Sequence, residues 1–124
     1  MKAYSKALII DDDADLCLML KSVVNTVIPN VQYAQTLAAG RQLFNQFRPE
    51  VIFLDNNLPD GQGLQLIEEI KRISPGVLLI FITAVNSPKE QALEYGVDLF
   101  LEKPFTYSAI FQALETGARE PETM

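Results

Sequence analysis

Short, uninterrupted apolar runs that alternate with longer stretches of helical periodicity are the feature of this sequence that most restricts its fold. An uninterrupted run, unlike an alternation of apolar and polar residues, is what a parallel sheet covered on both faces requires. The runs predict five buried strands, at residues 7–10, 51–54, 78–82 and 99–101 and, more weakly, at 31–34.

Between the runs, apolar residues recur at helical spacing and predict five helices. The fourth, over residues 87–95, is short and weakly amphipathic, and the last begins after Pro104 because proline excludes an earlier start. The other four stripes are Leu16, Met19, Leu20, Val23, Val24 and Val27; Gly40, Leu43, Phe44 and Phe47; Leu66, Ile67, Ile70 and Ile73; and Tyr107, Ile110, Phe111 and Leu114.

Strict alternation of strand and helix implies right-handed crossovers and therefore an open, doubly wound α/β sandwich with three layers. Five strands fit the flavodoxin-like order 2-1-3-4-5. The length of 124 residues suits one domain. We place that domain at residues 1–118 and interpret 119–124, which are polar and contain proline, as a tail or the start of a linker.

Composition excludes several classes of function. The net charge of -6 and the scattered basic residues argue against direct nucleic-acid binding. Histidine is absent, which rules out a Ser-His-Asp triad, a Cys-His pair and the common zinc ligand sets. Cys17 lies in an apolar stripe and is interpreted as a core residue. Because no apolar stretch resembles a signal peptide or is long enough to span a bilayer, we expect a cytoplasmic protein with no membrane partner.

Polar residues follow four of the predicted strands. Because ligands of an open α/β sheet bind beyond the carboxyl ends of its strands, these side chains should meet at one edge. Clustered carboxylates repel one another unless a cation neutralises them, and oxygen ligands suit Mg²⁺. An aspartate can then accept a phosphoryl group, with a lysine and a hydroxyl covering the charge. The residues concerned are Asp11, Asp12, Asp13, Asp55, Thr83 and Lys103.

Each of these residues also has an ordinary structural interpretation. Asp13, just before a helical stripe, is better explained as an N-cap than as a third metal ligand. Asp55 alone would be a turn residue, Lys103 alone a solvated surface lysine, and Thr83 alone a strand threonine bonded to backbone. Gly63 is interpreted as a turn residue that opens the third helix, because no Lys-Ser/Thr pair follows it at P-loop spacing.

The order and spacing of four motifs resemble those of a response-regulator receiver domain, a module of two-component signalling. The similarity extends from about Leu8 to Leu114, and the run Ala92-Leu93-Glu94-Tyr95-Gly96 also resembles the family. The motifs are Ile9-Ile10-Asp11-Asp12-Asp13; Asp55-Asn56-Asn57-Leu58-Pro59 with Gly63; Ile82-Thr83-Ala84; and Lys103-Pro104-Phe105.

The resemblance implies a role for each residue of the acidic site. Asp55 would be the phosphoacceptor and a ligand of Mg²⁺, and Asp12 the main metal ligand. Asp11 would act through a metal-bound water, and the carbonyl of Asn57 would complete the ligand set. Lys103 would contact the phosphoryl oxygens.

The resemblance also implies a switch and a cis bond from Lys103 to Pro104. On phosphorylation the hydroxyl of Thr83 would move toward the phosphoryl group and the ring of Phe100 would turn inward. The face made by helix four, strand five and helix five would then change. Phe100 replaces the tyrosine that is frequent in the family, so its ring has no hydroxyl to hydrogen-bond.

Other positions depart from the family pattern. Asn56 is polar where the family is usually apolar, and Gln62 stands before Gly63 where aspartate is common. Asn57 and Val85, each two residues beyond a site residue, lie where the family tunes the lifetime of the phosphoryl group.

The expected function is that of a phosphorylation switch. A histidine kinase or a His-containing phosphotransfer protein would be the donor, and an output domain or effector the recipient of the signal. The resemblance leaves open a dimer formed on phosphorylation. We expect Mg²⁺-dependent self-phosphorylation and slow autodephosphorylation, but no turnover enzyme.

The alternatives are a phosphorylation-independent interaction module on the same fold and a flavodoxin-like electron carrier. Asp11, Asp12 and Asp13 argue against the electron carrier, because they would repel a flavin phosphate.

Overall fold

The apolar runs of the sequence form a central parallel sheet. The structure, a computed structural model, describes residues 3–118. Its five strands are hydrogen-bonded in the order β2-β1-β3-β4-β5, and every neighbouring pair is parallel. This arrangement confirms the predicted strand order. The strands are β1 (Lys6–Ile10), β2 (Asn30–Ala34), β3 (Val51–Asp55), β4 (Leu78–Thr83) and β5 (Leu99–Glu102).

Five helices connect and follow these strands, as the periodicity predicts. They cover both faces of the sheet, which produces the predicted three-layer sandwich. The helices are α1 (Ala14–Val24), α2 (Leu37–Phe47), α3 (Leu64–Ile73), α4 (Lys89–Tyr95) and α5 (Tyr107–Ala118).

Two predicted helix boundaries are wrong. The first helix ends at Val24, and Val27 is 55% exposed, because the side-chain amide of Asn25 donates hydrogen bonds to the carbonyls of Ile28 and Pro29 and closes a turn. The fourth helix begins at Lys89, two residues later than expected. Before it, the hydroxyl of Ser87 accepts a hydrogen bond from the amide of Ala84 at 2.8 Å and so belongs to the preceding turn.

The core lies in two layers, one on each face of the sheet. Alternate residues of each strand face opposite sides, so that in β1 Ile9 packs toward α1 and α5 while Leu8 packs toward α2, α3 and α4. Because both faces are covered, every residue of β3 and β4 is buried, which explains their uninterrupted apolar composition. Cys17 is fully buried in the first layer, as predicted.

A small antiparallel hairpin follows β3 and was not predicted. It pairs Asn57–Leu58 with Gly61–Gln62 and is called here the short hairpin. Two-residue strands carry no periodicity that a sequence pattern could reveal. Gly61 has φ +150°, a conformation that favours glycine.

Across residues 3–118, no helix combines the length and apolar character needed to cross a lipid bilayer. The predicted tail at 119–124 lies outside the described residues.

Candidate functional site

The carboxyl ends of the strands bring the predicted acidic residues together. Asp11 and Asp12 follow β1, and Asp55 is the last residue of β3, the strand beside it. Each of these three aspartates has a carboxylate oxygen within 4.8 Å of one from each of the others. Asp11 is fully buried and Asp55 is 6% exposed, whereas Asp12 faces solvent. The site is therefore a cluster of three carboxylates open to solvent on one side.

Lys103 brings a positive charge to this cluster. It follows β5, and its backbone amide donates a hydrogen bond to the carbonyl of Thr83 at 2.8 Å. Its Nζ lies 3.4 Å from Asp11 Oδ2 and 3.8 Å from Asp55 Oδ2. The ammonium group therefore faces the carboxylates and is not simply a solvated surface charge. The Lys103–Pro104 bond is cis, as the resemblance implies.

Two buried oxygen atoms at the site accept and donate no hydrogen bond within residues 3–118. They are Asp11 Oδ2, which has only the ion pair with Lys103, and Thr83 Oγ1 at the end of β4. The ordinary interpretation of Thr83 as a strand threonine bonded to backbone is wrong. Because an unsatisfied buried polar group costs about 1–3 kcal/mol, both atoms are poised for a further partner.

Burial raises the pKa of both buried carboxyls, and repulsion from a neighbouring aspartate adds to it. For Asp55, desolvation comes first and the Asp11 charge second; they outweigh the attraction of Lys103 and raise the pKa to about 6. Desolvation also raises the pKa of Asp11, against the hydrogen bond from the Asp13 amide and the Lys103 charge. A cation among these oxygens would favour their charged forms.

The donor set fits a hard divalent cation. It consists of carboxylate oxygens, one of them without a hydrogen-bond donor, and Mg²⁺ is bound through one or two carboxylates with water completing its shell. Asn57 lies exposed in the short hairpin, two residues after Asp55, so that its carbonyl belongs to the same loop.

The residues around the cluster have structural tasks. Asp13 is the N-cap of α1, as predicted, and its carboxylate accepts hydrogen bonds from the amides of Asp15 and Leu16. Gly63 opens α3, also as predicted, and a Cβ at this position would overlap the carbonyl of Asp55. The backbone of the phosphoacceptor candidate therefore needs glycine as its neighbour.

The unusual Asn56 has a structural explanation. It is 5% exposed, and its side-chain oxygen accepts a hydrogen bond from the amide of Leu64 at 3.1 Å. Since Gly63 has no side chain to cap α3, Asn56 satisfies this free amide of the helix. Gln62 and Val85 are both exposed at the surface, and their contacts do not explain why these residues stand there.

Phe100 lies on the same sheet face as Thr83. Phe100 of β5 lies opposite Phe81 of β4, and two residues further along Glu102 lies opposite Thr83. Because alternate residues of a strand face the same side, these side chains lie on one face of the sheet. The rings of Phe81 and Phe100 meet edge to face with centroids 6.4 Å apart, and Phe100 is partly buried.

Two residues near the site were missed by the sequence analysis. The carboxylate of Asp60 accepts hydrogen bonds from the amides of Leu37 and Ala38 at 2.7 and 3.0 Å. The side-chain amide of Gln35 donates one to the carbonyl of Asp12 at 3.2 Å. No local pattern signals these bonds, because each joins segments more than twenty residues apart.

Comparison with known proteins agrees with this geometry. A family model described as the response regulator receiver domain matches residues 7–115, which is most of the chain. The chain belongs to the response regulator receiver family. This receiver domain is 27% identical over 114 residues to the chemotaxis protein CheY of Thermotoga maritima, a match that covers 88% of this chain and 93% of that protein.

Other relatives are longer. The receiver domain is 30% identical over 118 residues to the transcriptional regulatory protein DpiA of Escherichia coli (strain K12), covering 92% of this chain but 52% of DpiA. It thus spans about half the length of that relative. A crystal structure of a two-component response regulator from Clostridium difficile superposes on the receiver domain with a TM-score of 0.83 at 26% identity, covering 91% of this chain and 94% of that one.

Proposed function

We propose that this receiver domain accepts a phosphoryl group on Asp55 in the presence of Mg²⁺. One observation carries the proposal: a nearly buried carboxylate at a strand end lies beside two further carboxylates and the ammonium group of Lys103. Such a cluster is costly to bury, and its cost is offset when a cation occupies it. The carboxylates of Asp11, Asp12 and Asp55 and the carbonyl of Asn57 would hold the metal.

The proposed chemistry is a substitution at phosphorus. A carboxylate oxygen of Asp55 attacks, a new O–P bond forms, and the bond from phosphorus to the donor breaks, with its electron pair leaving on the donor. Mg²⁺ supplies positive charge to the transferring group. Lys103, already within 4 Å of the Asp55 carboxylate, pairs with the oxygens of the product. Hydrolysis by water later restores the aspartate, so the domain is a timed switch without turnover of a substrate.

Thr83 and Phe100 are proposed to convert phosphorylation into a change of shape. The support is that Thr83 Oγ1 is buried without a hydrogen-bond partner in the described chain, so a phosphoryl oxygen on Asp55 would offer it an acceptor. A moving hydroxyl would vacate space beside Phe100, which shares its sheet face. The response would appear on the face of α4, β5 and α5. Only Ala92 of α4 is fully buried, which suits a movable element.

The proposed partners are a sensor histidine kinase or a His-containing phosphotransfer protein as donor, and an output domain or effector at the face of α4, β5 and α5. The transcriptional regulatory protein DpiA supports an output of this kind, because it is about twice as long as the segment that matches this receiver domain. The domain itself is proposed to occupy residues 1–118. A cytoplasmic location and a dimer formed on phosphorylation stay predictions.

The test is the intact mass of the protein after incubation with acetyl phosphate and Mg²⁺. We expect one phosphoryl increment that requires Mg²⁺, is released by hydroxylamine, and is absent from Asp55→Asn. The variant Asp98→Asn, altered at a carboxylate that pairs with Lys71 on the other side of the fold, is the matched control and should still be labelled.

The phosphorylation-independent interaction module is the alternative to be distinguished. If the folded parent protein binds Mg²⁺ but shows no increment with acetyl phosphate, phosphoramidate or a phosphorylated His-containing phosphotransfer protein, the phosphoacceptor proposal is overturned. Labelling that persists in Asp55→Asn would place the acceptor elsewhere.

A further inference from the structure

Two separate loops carry the proposed metal ligands. One follows β1 and contains Asp11 and Asp12, and the other follows β3 and contains Asn57 in the short hairpin. Octahedral Mg²⁺ tolerates little error in ligand position, so the distance between these loops matters for its affinity. The pairing of β1 with β3 fixes each loop at the point where it leaves its strand.

The junction between β2 and α2 contacts both loops. On one side, the side-chain amide of Gln35 donates a hydrogen bond to the carbonyl of Asp12 at 3.2 Å. On the other, the backbone amides of Leu37 and Ala38 donate to Asp60 Oδ1 and Oδ2. The four residues from 35 to 38 therefore connect the loop of Asp12 to the short hairpin.

The Asp60 bonds are strong ones for a surface position. A carboxylate facing two free amides at a helix N-terminus gains both charge-assisted hydrogen bonds and the favourable end of the helix dipole. The same two amides lower the pKa of Asp60, which shows that they favour its charged form. The first turn of α2 contains no acidic residue of its own, so Asp60 supplies this charge from another segment.

Apolar contacts hold the hairpin at the same place. Leu58 and Leu37 are buried in the same core layer, and a Cβ on Gly61 would overlap a methyl group of Leu37. Within the loop, the amide of Gly63 donates to the carbonyl of Asn56 at 2.8 Å, and Leu58 pairs with Gly61. The hairpin is therefore a closed unit, and Asp60 attaches its tip to α2.

We propose that Gln35 and Asp60 are positioning residues that brace the two metal-bearing loops against each other through the start of α2. The inference rests on the proposed function, because it concerns the affinity of the site for Mg²⁺. Neither residue is proposed as a ligand of the metal or as a contact of the phosphoryl group. Each acts through a neighbour, Gln35 through the backbone of Asp12 and Asp60 through the short hairpin that contains Asn57.

The test compares Asp60→Ala with Thr36→Ala. Thr36 is the N-cap of the same helix, and its hydroxyl accepts a hydrogen bond from the amide of Ala39, but its side chain forms no hydrogen bond with the hairpin in the described part of the chain. Both variants should lower the midpoint of urea unfolding. Only Asp60→Ala should raise the Mg²⁺ dissociation constant, measured by isothermal titration calorimetry, by about tenfold, as expected for partners that orient metal ligands.

A second measurement needs neither metal nor phosphodonor. Hydrogen exchange of the backbone amides in residues 57–62 should be faster in Asp60→Ala than in the parent or in Thr36→Ala. Asp60→Asn, which keeps one acceptor oxygen, should recover part of the Mg²⁺ affinity. A brace fails when either of its ends is released. The Mg²⁺ dissociation constant of the double variant Gln35→Ala/Asp60→Ala should therefore be no higher than that of the weaker-binding single variant.

The outcomes separate the two proposals. If the parent itself binds no Mg²⁺, the proposed function fails. If the parent binds Mg²⁺ and Asp60→Ala binds it equally well, the positioning role is overturned. Asp15→Ala removes one exposed carboxylate from the first turn of α1 and controls for charge alone. An equal loss of affinity in that variant, or in Thr36→Ala, would also overturn the brace.

Discussion

Lys103 Nζ lies 3.4 Å from Asp11 Oδ2, a carboxylate oxygen that accepts no hydrogen bond in the described part of the chain. This contact places a fixed positive charge where the proposed Mg²⁺ would also bind. The two cations would repel each other, so Lys103 should lower the affinity for the metal while it stabilises the charge of the phosphoryl group. We therefore expect the same side chain to have opposite effects on metal binding and on phosphoryl transfer.

The first prediction concerns Lys103→Met. This variant should bind Mg²⁺ severalfold more tightly than the parent and yet take up a phosphoryl group from acetyl phosphate at least about tenfold more slowly, since one stabilising charge is lost. Calorimetry and intact-mass kinetics measure the two effects. Lys103→Arg, which keeps the charge, should change Mg²⁺ affinity little. Weaker Mg²⁺ binding in Lys103→Met would contradict this account.

The second prediction is a pH dependence of stability in EDTA. The pKa of Asp55 is raised from 3.8 to about 6 in the folded protein, so the folded state binds a proton more tightly than the unfolded state. The free energy of unfolding should therefore fall as pH rises from about 4 to about 6 through this group. Asp55→Asn removes the penalty and should be more stable than the parent by about 3 kcal/mol at pH 7, because one pKa unit corresponds to about 1.4 kcal/mol.

That gain should vanish near pH 4, where Asp55 is neutral in the parent, and should shrink at pH 7 when Mg²⁺ is added, because only the parent keeps the full ligand set. Urea unfolding of both proteins at several pH values measures the difference and cancels the contributions of acids that do not interact with Asp55. If Asp55→Asn is no more stable than the parent at pH 7, then burial and the Asp11 charge do not raise the pKa of Asp55 in the folded protein.

The third prediction concerns Thr83→Val. Valine keeps the branched shape and removes a buried hydroxyl that lacks a hydrogen-bond partner within the described residues, so the free energy of unfolding should rise by about 1 kcal/mol. Phosphoryl uptake should continue, while the changes in amide chemical shift across α4, β5 and α5 on phosphorylation should become smaller. If the chemical-shift changes on phosphorylation are as large in Thr83→Val as in the parent, Thr83 has no role in the switch.

The fourth prediction concerns the capping role of Asn56. Asn56→Ala should lower the free energy of unfolding by about 1–2 kcal/mol, because the buried amide of Leu64 loses its acceptor. Asn57→Ala, next in the chain but exposed, should cost less than about 0.5 kcal/mol. Equal effects of the two substitutions on the urea midpoint would refute the cap.

Much of the fold was predictable because its signals are local. Uninterrupted apolar runs predicted four of the five parallel strands, a weaker pattern at 31–34 predicted the fifth, and Asp13 before an apolar stripe predicted a helix cap; the structure confirms all of these. The site was predictable as well, since strand ends of a parallel sheet converge whatever lies between them. Asp11, Asp12, Asp55 and Lys103 follow this rule and meet within a few ångströms.

Other features depend on contacts between distant segments, which periodicity cannot report. Val27 continues the apolar stripe of α1, yet Asn25 ends the helix by bonding to later carbonyls. Asp60 looks like a turn residue, yet its carboxylate caps a helix that begins 23 positions earlier.

The sequence by itself thus determined the layers of this receiver domain and the chemistry at its sheet edge, because burial pattern and residue type act locally. The tertiary structure alone decided which buried oxygens lack partners and how α2 connects the two loops, because those outcomes depend on hydrogen bonds between segments that the chain brings together only when it folds.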